Sequence, residues 1–352
     1  MVSEKKDKLV HLEVLRIISI ILVMFNHTEE KGFLLFTVAD NSIAKFIYLF
    51  FSILCKIAVP VFFMISGALL LGRNESIKDV LKKRVLRFAL TIVGISFFYY
   101  IFNIIVHNEQ YTPLDMFLGI YRNGVANQLW YLYSYLGCLV MLPLLRPLAQ
   151  NMKTEHFFYL IAVHILVVGL IPVAESFIGG GYLHYAEDFS LVIFTTQNIF
   201  FFLIGYFLEK VLDKKYFTLN NALTLNLAGI MSICVTELAT LHHGAITGEW
   251  TRYHENLIAI PAIAAYFTFK FILGKTKEAN AFSKALCFLG SNVFGIYLFE
   301  PLFTGYSESI FNVLAPHIKV FPATLIWMLA AFIFGTIVVG LLRLIPGVKK
   351  IL

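Results

Sequence analysis

Residues 12–28 read LEVLRIISIILVMFNHT. A hydrocarbon core of about 30 Å is crossed by roughly 20 predominantly apolar residues in a helix, and this stretch with its flanks is long enough. A cleaved secretory leader would show a shorter apolar core and a small-residue cleavage site. The run instead carries Arg16 and His27, so it reads as a permanent anchor. Ionisable groups within a membrane helix are costly and mark a function or a buried partner. Arg16 and His27 are eleven residues apart, almost three turns, which places them on one face about 16 Å from each other. Glu13 precedes Arg16 by three residues and falls near the same stripe. A polar line of this kind must face protein or a watery cavity, not lipid. The plainer reading makes Glu13 and Arg16 an interfacial ion pair and puts His27 at the opposite headgroup level.

The rest of the chain repeats the apolar pattern. Hydrophobic residues fill 59% of 352 positions and charged residues only 14%, against about a quarter charged in soluble domains. Spans are placed near 10–29, 44–71, 86–107, 127–148, 156–174, 191–211, 221–241, 253–273, 285–307 and 320–344, with a short interfacial helix at 113–122. The formal charge of +6 sits in short segments between apolar runs, a topology signal that excludes nucleic acid as the partner. Lys5, Lys6 and Lys8 precede the first span, Lys78, Lys82, Lys83, Arg84 and Arg87 follow the second, and Arg146 and Lys153 follow the fourth. Lys210, Lys214 and Lys215 follow the sixth, Lys270, Lys275 and Lys277 the eighth, and Lys349 and Lys350 close the chain. The intervening connections hold acidic and His residues such as Glu187, Asp188, His242 and His243. The expectation is an all-α polytopic membrane protein of about ten transmembrane helices, both termini cytoplasmic. Residues 1–352 read as one transmembrane domain without an appended soluble domain, repeat or low-complexity tract. The four cysteines stand singly in apolar runs and imply neither disulfide nor metal.

Three further stretches carry polar groups of interest. In VFFMISGALLL (61–71), Ser66 and Gly67 allow close approach of a helix or a ligand. After a basic turn come Arg84 and Arg87, three apart on one helical face, suited to chelating phosphate or serving only as a positive-inside cluster. In SNVFGIYLFEP (291–301), Glu300 lies about fifteen residues into its span at a depth comparable with His27. A buried carboxylate needs a partner; His27 is one candidate, Tyr297 and Arg252 are others. The aromatic run NQLWYLYSYL (127–136) fits an interfacial belt. In WTRYHEN (250–256), Arg252, His254 and Glu255 converge at a helix start and would bind a polar substrate. A metal site from His242, His243 and His254 has no diagnostic spacing.

Taken in order, Leu12-Glu13-Val14-Leu15-Arg16, His27, Phe62-Phe63-Met64-Ile65-Ser66-Gly67 and Arg84-Val85-Leu86-Arg87, followed by LWYLY (129–133) and GIYLFEP (295–301), resemble the acyltransferase 3 family. The resemblance implies transfer of an acyl group, commonly acetyl, from coenzyme A to an extracytoplasmic saccharide or cell-envelope glycan, in a bacterial plasma membrane. It implies that His27 is catalytic together with the motif's Glu13, and that Arg16, Arg84, Arg87 and Ser66 serve the acyl-CoA donor. Glu300, Tyr131, Trp130 and Arg252 are then candidates for support or acceptor binding, with no metal and no permanently bound cofactor. The family's last landmark commonly places a His where this chain has Glu300, so no role is borrowed for that position. His27 would act as general base or be acylated itself. The axial distance from residue 10 to His27 is roughly 25 Å, long for a donor held wholly at the cytoplasmic edge. A flippase or transporter of glycan intermediates is the alternative from another class, but no internal repeat or paired broken helices support it.

Overall fold

The computed structural model describes residues 9–122, 125–179, 183, 191, 193 and 196–348. Expectations resting on Lys5, Lys6, Lys8, Glu187, Asp188, Lys349 and Lys350 lie outside the described residues. Among the described residues all regular structure is helical. The elements are α1 (Val10–Asn26), α2 (Ser42–Leu70), α3 (Ile77–His107), α4 (Pro113–Arg122), α5 (Asn127–Asn151) and α6 (Thr154–Ile178). They continue with α7 (Gln197–Tyr206), α8 (Leu219–Thr247), α9 (Ala259–Leu273), α10 (Ala281–Leu298), α11 (Glu300–Ile318) and α12 (Val320–Leu342). Seven of these, α2, α3, α5, α6, α8, α10 and α12, are long and apolar enough to cross a membrane. α4 lies where an interfacial helix is expected and buries none of its residues.

The outward faces identify the solvent. Leu219, Leu223, Leu227, Met231 and Val235 on α8 recur every fourth residue and are exposed. So are Leu325, Leu329, Ile333, Ile337 and Leu341 on α12. Leaving such a side chain in water forgoes about 1.5–3 kcal/mol. Soluble proteins rarely leave contiguous apolar stripes of this length in water. These faces belong in hydrocarbon.

The shorter helices α1, α7 and α9 lie inside. α1 packs against α10, α2 and α9, and α2 against α7; Phe200 through Leu208 are buried without interruption. The α2–α7 contact is backbone on backbone. A Cβ on Gly67 would stand 1.7 Å from the Phe202 carbonyl oxygen, and one on Gly205 would stand 1.8 Å from that of Met64. Gly67 thus admits a neighbouring helix, one of the two uses the sequence left open.

One span differs from expectation. Residues 285–307 are not a single helix: α10 ends at Leu298 and α11 begins at Glu300, with Phe299 between them at φ −114°, ψ 13°. The cause is Pro301, which has no N–H to donate and whose ring would clash with the carbonyl of Tyr297 in a continuous helix. The freed Leu298 carbonyl accepts from the Tyr99 hydroxyl at 2.8 Å, which satisfies a terminal group that would otherwise be orphaned. Glu300 is consequently the first residue of a new helix rather than a residue deep within a span.

Candidate functional site

His27 is the residue that ends α1. The turn beyond it is fixed by Thr28, whose hydroxyl donates to the Phe25 carbonyl at 2.7 Å and accepts from the Phe33 N–H at 3.0 Å. His27 Nδ1 and Glu300 Oε2 are 2.9 Å apart, and Glu300 is 1% exposed. In the tautomer that carries its hydrogen on Nδ1, His27 donates to the Glu300 carboxylate and the Nε2 lone pair is left for chemistry. The helix break supplies the geometry, because it turns the first residue of α11 toward the end of α1.

His27 borders a cavity of about 180 Å³ shared by α1, α2, α5 and α7. Its polar lining is mostly uncharged: Asn26, Gln128, Gln197 and Asn198, with Trp130 beside them. The charges present are Lys56 and Glu255, 3.6 Å apart. A second cleft, of about 540 Å³, reaches His27 from the α11 side and carries Glu29, Glu30 and Glu308.

A third cavity, of about 410 Å³, opens toward the other end of α1. Arg16, Ser66, Lys83, Arg84, Arg87 and Tyr135 line it, together with Gly290 and Ser291 of α10. Here the α1 stripe meets the arginines of α3. Glu13 bonds Arg16 Nη1 at 2.5 Å and is pressed against Gly290, where any Cβ would lie 2.4 Å from its Oε2. Ser66 donates to the Phe62 carbonyl of its own helix at 2.9 Å. Arg84 sits in a π-helical stretch, Leu81–Val85, a distortion that often accompanies functional sites. Its guanidinium clamps Glu75 with two bonds of 2.7 and 2.6 Å, while Arg146 bonds the same carboxylate at 2.6 Å. Glu75 is held far below the usual carboxylate range, at about 2: the Arg84 hydrogen bond dominates, burial opposes it and Arg146 reinforces it. Arg16, Lys83, Arg84 and Arg87 together make the lining of this cavity positive.

Two of the candidate residues stand apart from His27. Fourteen residues of helix put Glu13 about 21 Å from it along the axis, where Glu13 pairs with Arg16. Arg252 lines none of these three cavities; its side chain is exposed and faces Glu249 at 3.6 Å. Nor do its neighbours converge: His254 is fully buried against Phe33 and Phe36, while Glu255 points to the His27 cavity. The three histidines considered for metal are scattered, His242 on the Ser176 carbonyl and His243 near Glu249.

Lys56, Glu75 and Arg146 were not singled out from the sequence. Lys56 interrupts the apolar run FSILCKIAVP, a visible signal. Arg146 looked like a loop charge, yet it is 5% exposed within α5 and bonds the Leu70 carbonyl at 3.1 Å. Glu75 has no local signal, since its meaning depends on two arginines from separate helices.

No curated protein and no solved structure matches the chain. A family model described as an acyltransferase domain matches residues 9–344, nearly all of it, and so takes in α1 with His27, the arginine cavity and the α10–α11 break. By that match the chain belongs to the acyltransferase 3 family, whose members are membrane acyltransferases.

Proposed function

We propose that the protein transfers an acyl group, acetyl in the simplest case, from cytoplasmic acyl-CoA to a hydroxyl of an extracytoplasmic saccharide or envelope glycan. The observation that carries this reading is the His27–Glu300 pair at 2.9 Å, whose histidine borders a cavity that has Tyr131 and Tyr297 in common with the arginine cavity. The membrane is the bacterial plasma membrane. In this reading α1, α9 and α7, extended by the helical stretch Phe207–Val211, cross with the seven longer helices, giving ten spans and two cytoplasmic ends.

The donor's phosphates lie against Arg84, Arg87 and Arg16, whose directed donors suit phosphate oxygens. Arg16 is only about 16 Å along α1 from His27, so an inward-reaching cavity removes the awkward distance measured from the helix start. The acceptor sits among the amides and Trp130 of the His27 cavity, which offer donors and acceptors to sugar hydroxyls without a net charge. His27 Nε2 takes the hydroxyl proton, the hydroxyl oxygen bonds to the thioester carbonyl carbon, and the C–S bond breaks. The leaving thiolate takes the proton, giving free CoA and the ester. Glu300 keeps the imidazole in the required tautomer and stabilises its cationic form.

The test uses membranes containing wild type or His27→Ala, radiolabelled acetyl-CoA and crude envelope glycan. The reading requires label in glycan with wild type only. Glycan movement without consumption of acetyl-CoA would favour a flippase.

A further inference from the structure

The arginine cavity and the His27 cavity are separate spaces, and both have Tyr131 and Tyr297 among their lining residues. The two rings meet edge to face, centroids 5.5 Å apart. Neither is loosely held. The Tyr297 hydroxyl donates to the Gln128 carbonyl, and the Tyr131 ring lies parallel to Tyr135 at 6.0 Å and against Phe63 at 5.0 Å. Tyr297 also sits two residues before the Phe299 break, three residues from Glu300. Tyr131 and Tyr297 are the residues common to the two linings, so they stand between the arginine cavity and the one beside His27.

Non-bonded carbons approach to about 3.5–4.0 Å. An alkyl chain lying between two rings therefore needs them at least about 7 Å apart, more than the 5.5 Å observed. A two-carbon acyl group at the tip of a thioester needs one ring to tilt aside. A longer chain must either stay between the rings or run on into the 180 Å³ space that the acceptor also needs.

We infer that Tyr131 and Tyr297 form an aromatic septum that sets the length of acyl group the protein transfers, selecting short chains. The inference rests on the acyl-CoA reading above and adds the residues that fix the donor's acyl class. In apolar pockets each methylene without room costs on the order of tenfold or more in discrimination, so the preference should be steep.

The experiment is a competition among acetyl-, butanoyl- and octanoyl-CoA with the full-length protein in proteoliposomes, read as thiol release and as mass of the acylated glycan. Wild type should favour acetyl over octanoyl. Tyr131→Ala and Tyr297→Ala should each raise the octanoyl-to-acetyl ratio by about tenfold or more, whereas Tyr131→Phe, which keeps the ring, should leave that ratio within about twofold. If the alanine variants do not fold, Tyr131→Leu and Tyr297→Leu carry the same expectation with less volume lost. Acetyl-CoA consumption with an unchanged chain-length ratio in the ring-less variants overturns the septum and leaves acyl transfer standing. Failure of wild type to consume any of the three thioesters removes the acyl-CoA reading, and the septum with it.

Discussion

Replacing Gly67 with Ala tests the α2–α7 packing that walls the His27 cavity. The added methyl would stand 1.7 Å from Phe202 O, 2.6 Å from its carbonyl carbon and 3.0 Å from its Cα. A carbon–oxygen contact settles near 3.3 Å, so α2 and α7 must separate by roughly 1.5 Å. The obstacle is backbone, which has no rotamer to change. A radial gap of 0.5–1 Å already forfeits about a quarter to a half of a dispersion contact, and overpacked cores lose about 1–3 kcal/mol, occasionally more. The upper end, about 3 kcal/mol, applies here. In detergent-solubilised protein this lowers the melting temperature by about 4 °C. Gly137→Ala is the control: nothing lies within 4 Å of a Cβ there, and mid-helix alanine is favoured over glycine by up to about 1 kcal/mol. Gly205→Ala should match Gly67→Ala, and the double variant should cost less than the sum, because helices already parted accept the second methyl. Gly67→Ala melting with wild type would refute the close approach of α2 and α7.

Other consequences concern the charged groups. Glu13→Gln weakens the charge-assisted bond that aims Arg16, worth about 1.5–3 kcal/mol, and should raise KM for acetyl-CoA about tenfold with kcat little changed; a matching fall in kcat at constant KM would contradict a positioning role. Glu75 titrates at about 2 in the folded protein against an ordinary value of 4.5. Its folded pKa is depressed, so its stabilising contribution is complete above pH 4.5 and disappears as pH falls toward 2. The stability difference between wild type and Glu75→Gln should therefore close over that interval; a constant gap would mean the clamp is not ionic. Arg252→Ala should change stability and transfer within about 0.5 kcal/mol, and a loss of acceptor binding would restore it to the site.

Much of this architecture is written in local sequence. The apolar runs and the stripe of Arg16 and His27 on α1 are properties of single segments, and helical period alone places them. Pro301 equally announces the break that makes Glu300 a helix-starting residue, although a hydropathy reading runs straight across it. What local pattern could not supply is pairing across the chain. The Glu13–Arg16 pair is local, but its packing against Gly290 of α10 is not foreseeable from either segment. Glu75 and Arg146, 71 positions apart, acquire meaning only when α3 and α5 converge on the α2–α3 loop. Arg252 and Glu255 stand three apart in sequence but face different surroundings, because the segment turns before α9 begins. Burial of Arg146 is not legible locally for a related reason: a charge near a helix end looks solvated until a neighbouring loop covers it.

The most direct test of the account measures acetyl transfer by His27→Ala, Glu300→Gln and the double variant under one set of conditions. If His27 is the base and Glu300 acts through it, His27→Ala lowers the rate by about 10²–10⁴-fold, Glu300→Gln by at least about tenfold, and the double variant matches His27→Ala alone. Independent factors that multiply in the double variant would show that the two residues do not work as a pair, and transfer by His27→Ala at the wild-type rate would remove His27 from the chemistry.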